Sequence, residues 1–172
     1  MDLILWRHAQ AEDLPLDEAQ SQALSCGQPV TYHIDPERDL ARCLTPKGHK
    51  QAERMAAWLN QRLPESTRVL VSPAQRTQQT ALALGRSFKT VKSLNPQGSV
   101  DDLLKAAKWP QGREPVLIVG HQPTIGMLAA RLLTGQDLAW SVKKGGVWWL
   151  RRRERNGDLQ VTLQAVQSPD WL

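Results

Sequence analysis

Short, mainly apolar runs alternate along the chain with longer segments in which apolar residues recur every three or four positions. The runs at 3–6, 68–71 and 115–119 predict buried strands. The longer segments predict helices that begin near 45, 72, 100 and 122. Strands that alternate with helices are typical of a mainly parallel sheet covered on both faces. We therefore expect an α/β fold with three layers, α/β/α.

Capping residues mark the ends of the predicted helices. Thr45 and Ser72 are N-cap residues, and each is followed by a proline suited to the first helical turn. The helix that Thr45 opens should end before Pro64, and the helix near 122 should end at Gly135. The helix near 100 should extend to 108.

Two segments depart from this alternation. Residues 146–153 and 159–166 predict an antiparallel hairpin that turns at Asn156 and Gly157 and adds an antiparallel edge to the sheet. The polar segment 9–43 is far longer than a usual strand-to-helix loop, although a short helix over 17–24 would fit inside it. We expect one domain over residues 1–172, with 9–43 as an insertion-like loop.

Composition and charge limit the class of protein. The chain has 172 residues, 41% hydrophobic and 23% charged, with a net charge of +5, which fits a soluble domain with its own core. No run spans a bilayer and no signal peptide is evident, so we expect a cytoplasmic monomer with Cys26 and Cys43 as free thiols. The basic run at 151–155 is short and follows a strand-like segment, so we expect neither nucleic acid nor membrane as a partner.

Residues suited to phosphate follow each predicted parallel strand. Arg7 and His8 end the first, Ser72 ends the second with Arg76 one turn later, and His121 follows the third. Such strand ends share one edge of an open α/β sheet, which is where ligands bind. Arginines and helix N-termini attract anions. The sequence therefore predicts an anion site built around two imidazoles.

Imidazoles among arginines indicate a specific chemistry. A neutral imidazole can attack phosphorus and form a covalent phosphohistidine. Nearby arginines would lower the pKa of the imidazole and stabilise the transferring phosphoryl group. We therefore expect a phosphatase that needs no metal or other cofactor.

Four segments resemble the motifs of the histidine phosphatase superfamily, in the family's order: LWRHA at 5–9, DLARCLTPKG at 39–48, VSPAQRTQQTA at 71–81 and VGHQPT at 119–124. The second is similar to the SixA-like branch of phosphohistidine phosphatases. The resemblance implies the phosphoglycerate mutase-like fold, with His8 as the nucleophile and phosphoryl acceptor. It implies that the phosphoryl oxygens are held by Arg7, Arg76, His121 and Arg42. Asp39 would orient Arg42 at the mouth of the site.

One departure from the family pattern bears on the substrate. In many members, a glutamate in the loop after the third strand donates a proton to the leaving group. The matching residues of this chain, 91–98, include no carboxylate. An imidazole leaving group, with a pKa of about 6.5, needs no dedicated acid, whereas an alkoxide does. The expected substrate is therefore a protein that carries phosphohistidine. Asp39 or a carboxylate of the long loop (Asp13, Asp17 or Asp35) could still act as the acid.

Other functions stay open. They are a phosphatase for a small anionic metabolite, a phosphate-binding module without turnover, a nucleic-acid binder and a divalent-metal hydrolase, for which the ligand set is poor. His33 and His49 are interpreted as solvated. Lys143 and Lys144 could flank the mouth of the site, but a turn between elements is the simpler interpretation.

Overall fold

A six-stranded sheet forms the centre of the fold. The computed structural model describes residues 1–14, 18–29 and 35–172. The strands are β1 (Asp2–Arg7), β2 (Arg68–Val71), β3 (Lys89–Thr90), β4 (Val116–Gly120), β5 (Val147–Arg155) and β6 (Asp158–Gln167). They lie in the order β3-β2-β4-β1-β5-β6. The first four in the chain are parallel, and β5 and β6 are antiparallel to their neighbours.

Helices cover both faces of this sheet. The helices are α1 (Glu18–Ser25), α2 (Pro36–Ala41), α3 (Pro46–Asn60), α4 (Gln75–Leu82), α5 (Val100–Ala107) and α6 (Thr124–Thr134). Of these, α1 buries no side chain and does not contribute to the core. Short 3₁₀ segments lie at Lys92–Leu94 and Pro169–Trp171. The three-layer α/β/α architecture with an antiparallel edge is confirmed. No helix in the described part of the chain is long and apolar enough to cross a membrane.

The core is divided into two clusters by the sheet. Along β1, Ile4 and Trp6 face the helices α3 and α4, whereas Leu3 and Leu5 face α5 and α6. All four side chains are fully buried. This pattern explains why residues 3–6 form an uninterrupted apolar run, because a strand covered on both faces needs apolar residues at every position. β1 therefore delivers its last residues to a rigid position at the sheet edge.

Most helix boundaries agree with the predictions. Thr45 caps α3 by accepting from the Gly48 N–H at 3.0 Å, and Gly135 ends α6 with φ +77°. The start predicted at Ser72 is wrong, because α4 begins at Gln75. Ser72 instead bonds to a histidine after β4, so its hydroxyl serves the sheet edge and not the helix end.

The strand predictions are also confirmed, with one strand missed. The hairpin turns at Asn156 and Gly157, both with positive φ as a two-residue turn requires. β3 was not predicted. It has only two residues, Lys89 and Thr90, and both are exposed at the edge of the sheet. An exposed pair carries no apolar pattern, so only its pairing with β2 reveals it.

The two ends of the segment 9–43 lie side by side. Ala11 and Leu44 form an isolated antiparallel bridge, and the Glu12 N–H donates to the Cys43 carbonyl at 2.9 Å. The predicted helix at 17–24 corresponds to α1, although residue 17 lies outside the described residues. Both cysteines are free thiols.

Gly48 keeps this segment close to α3. A Cβ atom at residue 48 would lie 2.0 Å from the backbone oxygen of Gln10, which also accepts a bond from Thr45. No side chain fits into that space without moving the segment that follows His8. The glycine of the second motif is therefore explained by a close backbone approach.

We predict that Gly48→Ala destabilises the protein by about 1–3 kcal/mol, the usual cost of overpacking. Helix propensity alone predicts the opposite sign, because alanine is favoured over glycine by roughly 1 kcal/mol within a helix. Urea unfolding followed by circular dichroism measures the difference. Lys47→Ala, at an exposed position in the same turn, serves as the control. A Gly48→Ala protein as stable as the wild type would contradict the steric argument.

Candidate active site

A cavity of about 250 Å³ lies at the edge of the sheet where β1 and β4 end. Its lining residues are Arg7, His8, Ala11, Arg42, Arg76, Pro96, His121, Gln122 and Lys144. The structure thus brings together all five residues that were predicted to contact the phosphoryl group. Their positions in the chain explain this. Arg7 ends β1 and His8 follows it, and His121 follows β4. Arg76 lies in the first turn of α4, which follows β2, and Arg42 is the C-cap residue of α2.

The His8 ring is buried and held in one tautomer. Its Nδ1 lies 2.7 Å from the Ala9 carbonyl oxygen, which can only accept, so Nδ1 carries the proton. In the neutral ring Nε2 then bears a lone pair. Burial, followed by the positive charges of Arg76, Arg7 and Arg42, lowers the pKa of His8 to about 3. The ring is therefore a neutral nucleophile at physiological pH.

His121 is neutral too, and its tautomer is the opposite one. Its Nδ1 lies 3.3 Å from Arg76 Nη2, which can only donate, so Nδ1 accepts. Its Nε2 then carries the proton and donates to Ser72 Oγ at 2.7 Å. Burial and the charge of Arg76 lower the pKa of His121 to about 2. The two imidazole rings are 5.3 Å apart between centroids.

Asp39 joins two of the arginines. Its Oδ1 accepts from Arg42 Nε at 3.0 Å, and its Oδ2 accepts from Arg76 Nη2 at 3.0 Å. The Asp39 backbone carbonyl accepts a second bond from Arg76 at 2.5 Å. The predicted contact with Arg42 is present, and the contact with Arg76 is an addition. Because both carboxylate oxygens already bind guanidinium groups, the geometry suits positioning better than proton donation.

Arg7 and Arg76 each keep a buried donor without an acceptor. Arg7 Nη1 donates to the Val142 carbonyl at 2.6 Å, but Nε of Arg7 and Nε of Arg76 have no hydrogen-bond partner among the described residues. Unpaired buried donors are rare and costly in folded proteins. Both arginines line the cavity, where an anion would balance their charge.

The polar residues of the third motif in the chain, at 71–81, fasten neighbouring segments to α4. Thr80 Oγ1 accepts from the Ala9 N–H at 3.1 Å and donates to the Arg76 carbonyl at 2.7 Å. Gln79 Oε1 accepts from the Leu44 N–H at 2.7 Å. These contacts fix the backbone after His8 and after Arg42. The sequence carries no signal for the contacts with Ala9 and Leu44, because both partners are distant in the chain.

Lys144 was interpreted as a turn residue, and that interpretation is incomplete because Lys144 lines the cavity. Its turn is bound to the end of β1. The Gly145 N–H donates to the His8 carbonyl at 3.0 Å, and the Arg7 N–H donates to the Gly146 carbonyl at 3.0 Å. Lys143 points elsewhere and pairs with Asp170 at 3.7 Å. Gln122 also lines the cavity, and sequence reasoning did not assign it to the site.

No carboxylate lines the cavity in the described part of the chain. The loop at 91–98, where many members of the superfamily have a glutamate that acts as the acid, contributes Pro96 to the lining. Of the other candidate acids, Asp13 and Asp35 are exposed, and Asp35 caps α2 through the Glu37 N–H. Asp17 and His33 lie outside the described residues, and His49 is exposed on α3. Residues 1–14, 18–29 and 35–172 contain no group of three or more His, Cys, Asp or Glu suited to a metal ion.

Comparison with known proteins agrees with this geometry. Residues 3–97 match the histidine phosphatase superfamily, branch 1. The chain belongs to this superfamily. Phosphohistidine phosphatase SixA of Escherichia coli is 36% identical over 112 residues, which cover 60% of this chain and 69% of that protein. The SixA homolog of Haemophilus influenzae is 37% identical over 110 residues, which cover 55% of this chain and 66% of the homolog.

Solved structures show the same similarity. The protein histidine phosphatase SixA complexed with tungstate superposes with a TM-score of 0.71 at 27% identity, covering 99% of this chain and 98% of the other. A putative SixA from Agrobacterium tumefaciens, at 21% identity and a TM-score of 0.68 over 98% of this chain and 97% of the other, shows the fold alone.

The two buried imidazoles predict a loss of stability in acid. Their folded pKa values lie below the unfolded value of about 6.5, so the unfolded chain binds more protons below that pH. The stability that the two neutral rings contribute is fully present above about pH 6.5, and it is lost as the pH falls towards their folded pKa values. Each ring contributes roughly 1.4 kcal/mol per pH unit well below 6.5.

Replacing either ring should therefore flatten the pH profile of the unfolding free energy. We expect His8→Asn and His121→Asn each to lose less stability than the wild type between about pH 6 and pH 4.5. Urea unfolding at several pH values measures this, with His49→Asn, an exposed position, as the control. Slopes equal to the wild type in both variants would show that the rings titrate normally.

Proposed function

We propose that the protein is a phosphohistidine phosphatase that acts through a covalent phosphohistidine on His8. One observation carries the proposal: the Ala9 carbonyl fixes the His8 tautomer and leaves Nε2 unprotonated in a cavity lined by Arg7, Arg42 and Arg76. A neutral nucleophile beside fixed positive charges is what attack on a phosphoryl group requires. The same features speak against a phosphate-binding module without turnover.

The reaction has two steps. In the first, the His8 Nε2 lone pair forms a bond to phosphorus, and the bond from phosphorus to the substrate imidazole nitrogen breaks. Its electron pair stays on that nitrogen, and the ring leaves as neutral imidazole because its other nitrogen already carries a proton. In the second, water attacks phosphorus, the bond to Nε2 breaks and its electron pair returns to Nε2, and phosphate leaves with the protons of that water on its oxygens or released to solvent. Because His8 Nδ1 keeps its proton on the Ala9 carbonyl, His8 is itself a good leaving group in the second step.

The lining of the cavity supports phosphohistidine as the substrate. Among the described residues it holds positive and neutral groups but no carboxylate that could protonate an alkoxide. An imidazole leaves without such help. The SixA relatives and the tungstate complex support the same class, since tungstate is a tetrahedral oxyanion like phosphate.

A phosphatase for a small anionic metabolite is the second candidate. Lys144 favours it, because a further cation at the cavity would suit a second anionic group on such a molecule. Nucleic acid is not a proposed partner. Arg151, in the basic run at 151–155, is bound to the Asp2 carboxylate at 2.7 Å and so is partly neutralised. We propose a monomer in the cytoplasm, where free thiols persist.

Trapping the intermediate tests the proposal. A wild-type protein mixed with a histidine-phosphorylated phosphotransfer domain and denatured at alkaline pH should carry one added phosphoryl group on the peptide containing His8. Mass spectrometry locates it. His8→Ala should lack the group and turnover, and His49→Ala should retain both. Turnover that persists in His8→Ala would contradict the proposal.

Asp39→Asn should lower kcat/KM by about a hundredfold, because Arg42 and Arg76 both lose their anchor and small displacements are costly in phosphoryl transfer. The same variant should weaken inhibition by tungstate to a similar extent. Asp35→Asn, an exposed N-cap position, is the matched control. A selective loss on alkyl phosphates, with normal hydrolysis of phosphohistidine and 4-nitrophenyl phosphate, would instead identify Asp39 as the acid.

A further inference from the structure

An apolar groove lies beside the candidate active site. It has a volume of about 240 Å³, and its apolar lining comes from Trp148, Val166 and Trp171 beside Gly146. The other lining residues are polar: Ser141, Lys143, Gln167 and Ser168. The Trp171 side chain is 80% exposed and Val166 is 52% exposed. Isolated exposed apolar residues are ordinary, but aromatic and aliphatic side chains that line one groove mark an interaction site.

The groove and the catalytic cavity lie at the same edge of the sheet. β5 runs antiparallel to β1, so its first residue lies beside the end of β1 and near His8. The turn that precedes β5 contributes to both places: Lys144 lines the cavity, and Gly146 lines the groove. The Gly146 carbonyl also accepts from the Arg7 N–H. A molecule that covers the mouth of the cavity therefore reaches the groove across one turn.

Trp171 belongs to an ordered turn. The turn Pro169–Trp171 is capped by Ser168, whose carbonyl accepts from the Trp171 N–H at 3.1 Å. Lys143 pairs with Asp170 in the same turn, and Pro169 is buried. The indole is thus presented to solvent from a fixed backbone, which lowers the entropy that binding would cost. Tryptophan at such positions often dominates an interface.

We propose that this groove is the docking site for the protein that carries the phosphohistidine. The inference rests on the proposed function. A histidine side chain is short, so its phosphoryl group reaches His8 only if the carrier's surface lies against the rim of the cavity. Even a small transient interface covers roughly 600 Å² on each partner, far more than the mouth itself. The carrier therefore presents an apolar side chain to Trp171 beside its phosphohistidine.

Two variants and a matched control test the docking site. Trp171→Ala and Val166→Ser remove apolar surface from the groove. Leu159→Ser removes a side chain that is 50% exposed on the same strand, next to the hairpin turn and roughly 20 Å away. The substrates are a histidine-phosphorylated phosphotransfer domain, a phosphorylated phosphotransferase-system carrier and free phosphohistidine.

We expect Trp171→Ala to raise KM for at least one protein substrate roughly tenfold, with kcat little changed. Val166→Ser should act in the same direction, and Leu159→Ser should match the wild type. For free phosphohistidine, kcat/KM should stay within twofold in all three variants. This split between substrates is not expected if the variants only disturb folding.

Several results would overturn the docking site. The first is a KM for both protein substrates that Trp171→Ala leaves unchanged. The second is a loss of kcat/KM on free phosphohistidine in Trp171→Ala as large as the loss on the proteins. The third is a wild-type enzyme that hydrolyses free phosphohistidine but neither protein substrate. A dimer that Trp171→Ala dissociates in analytical ultracentrifugation would assign the groove to a second copy of the chain. Wild-type protein that hydrolyses none of the three substrates would instead refute the proposed function itself.

Discussion

The hydrogen bond between the His8 ring and the Ala9 carbonyl is the interaction on which the site depends. Because the carbonyl can only accept, it holds the ring proton on Nδ1 and leaves Nε2 unprotonated. The Ala9 backbone is itself fixed, since its N–H donates to Thr80 on α4. The nucleophile is thereby oriented by β1 and by the helix that also carries Arg76. The Ala9 carbonyl thus determines which ring nitrogen can attack, and β1 and α4 hold that carbonyl in place.

Burial and positive charge together explain why these imidazoles stay neutral. Three arginines and Lys144 line the cavity, and the contacts with Asp39 balance only part of their charge. Burial and this positive field lower the pKa of both histidines. A phosphoryl group in the cavity would balance the charge that Asp39 leaves uncompensated. The arrangement that keeps His8 nucleophilic is therefore also the arrangement that attracts its substrate.

The main features of the site follow from the sequence because they depend on strand ends. Parallel strands place their last residues at one edge, so Arg7, His8 and His121 could be grouped without knowing any distance. Lys144 could not be placed in this way. It reaches the cavity only because β5 pairs antiparallel with β1 and brings its preceding turn to His8. This pairing joins strands near opposite ends of the chain, so no local sequence pattern predicts it.

The most direct test of this account is nuclear magnetic resonance of the protein with ¹⁵N-labelled histidine. Long-range proton–nitrogen correlations distinguish a protonated ring nitrogen from one with a free lone pair. For His8 we expect a protonated Nδ1 and an unprotonated Nε2, with no titration from neutral pH down to about pH 5. A His8 ring that protonates near its ordinary pKa of about 6.5, or that carries its proton on Nε2, would contradict the account.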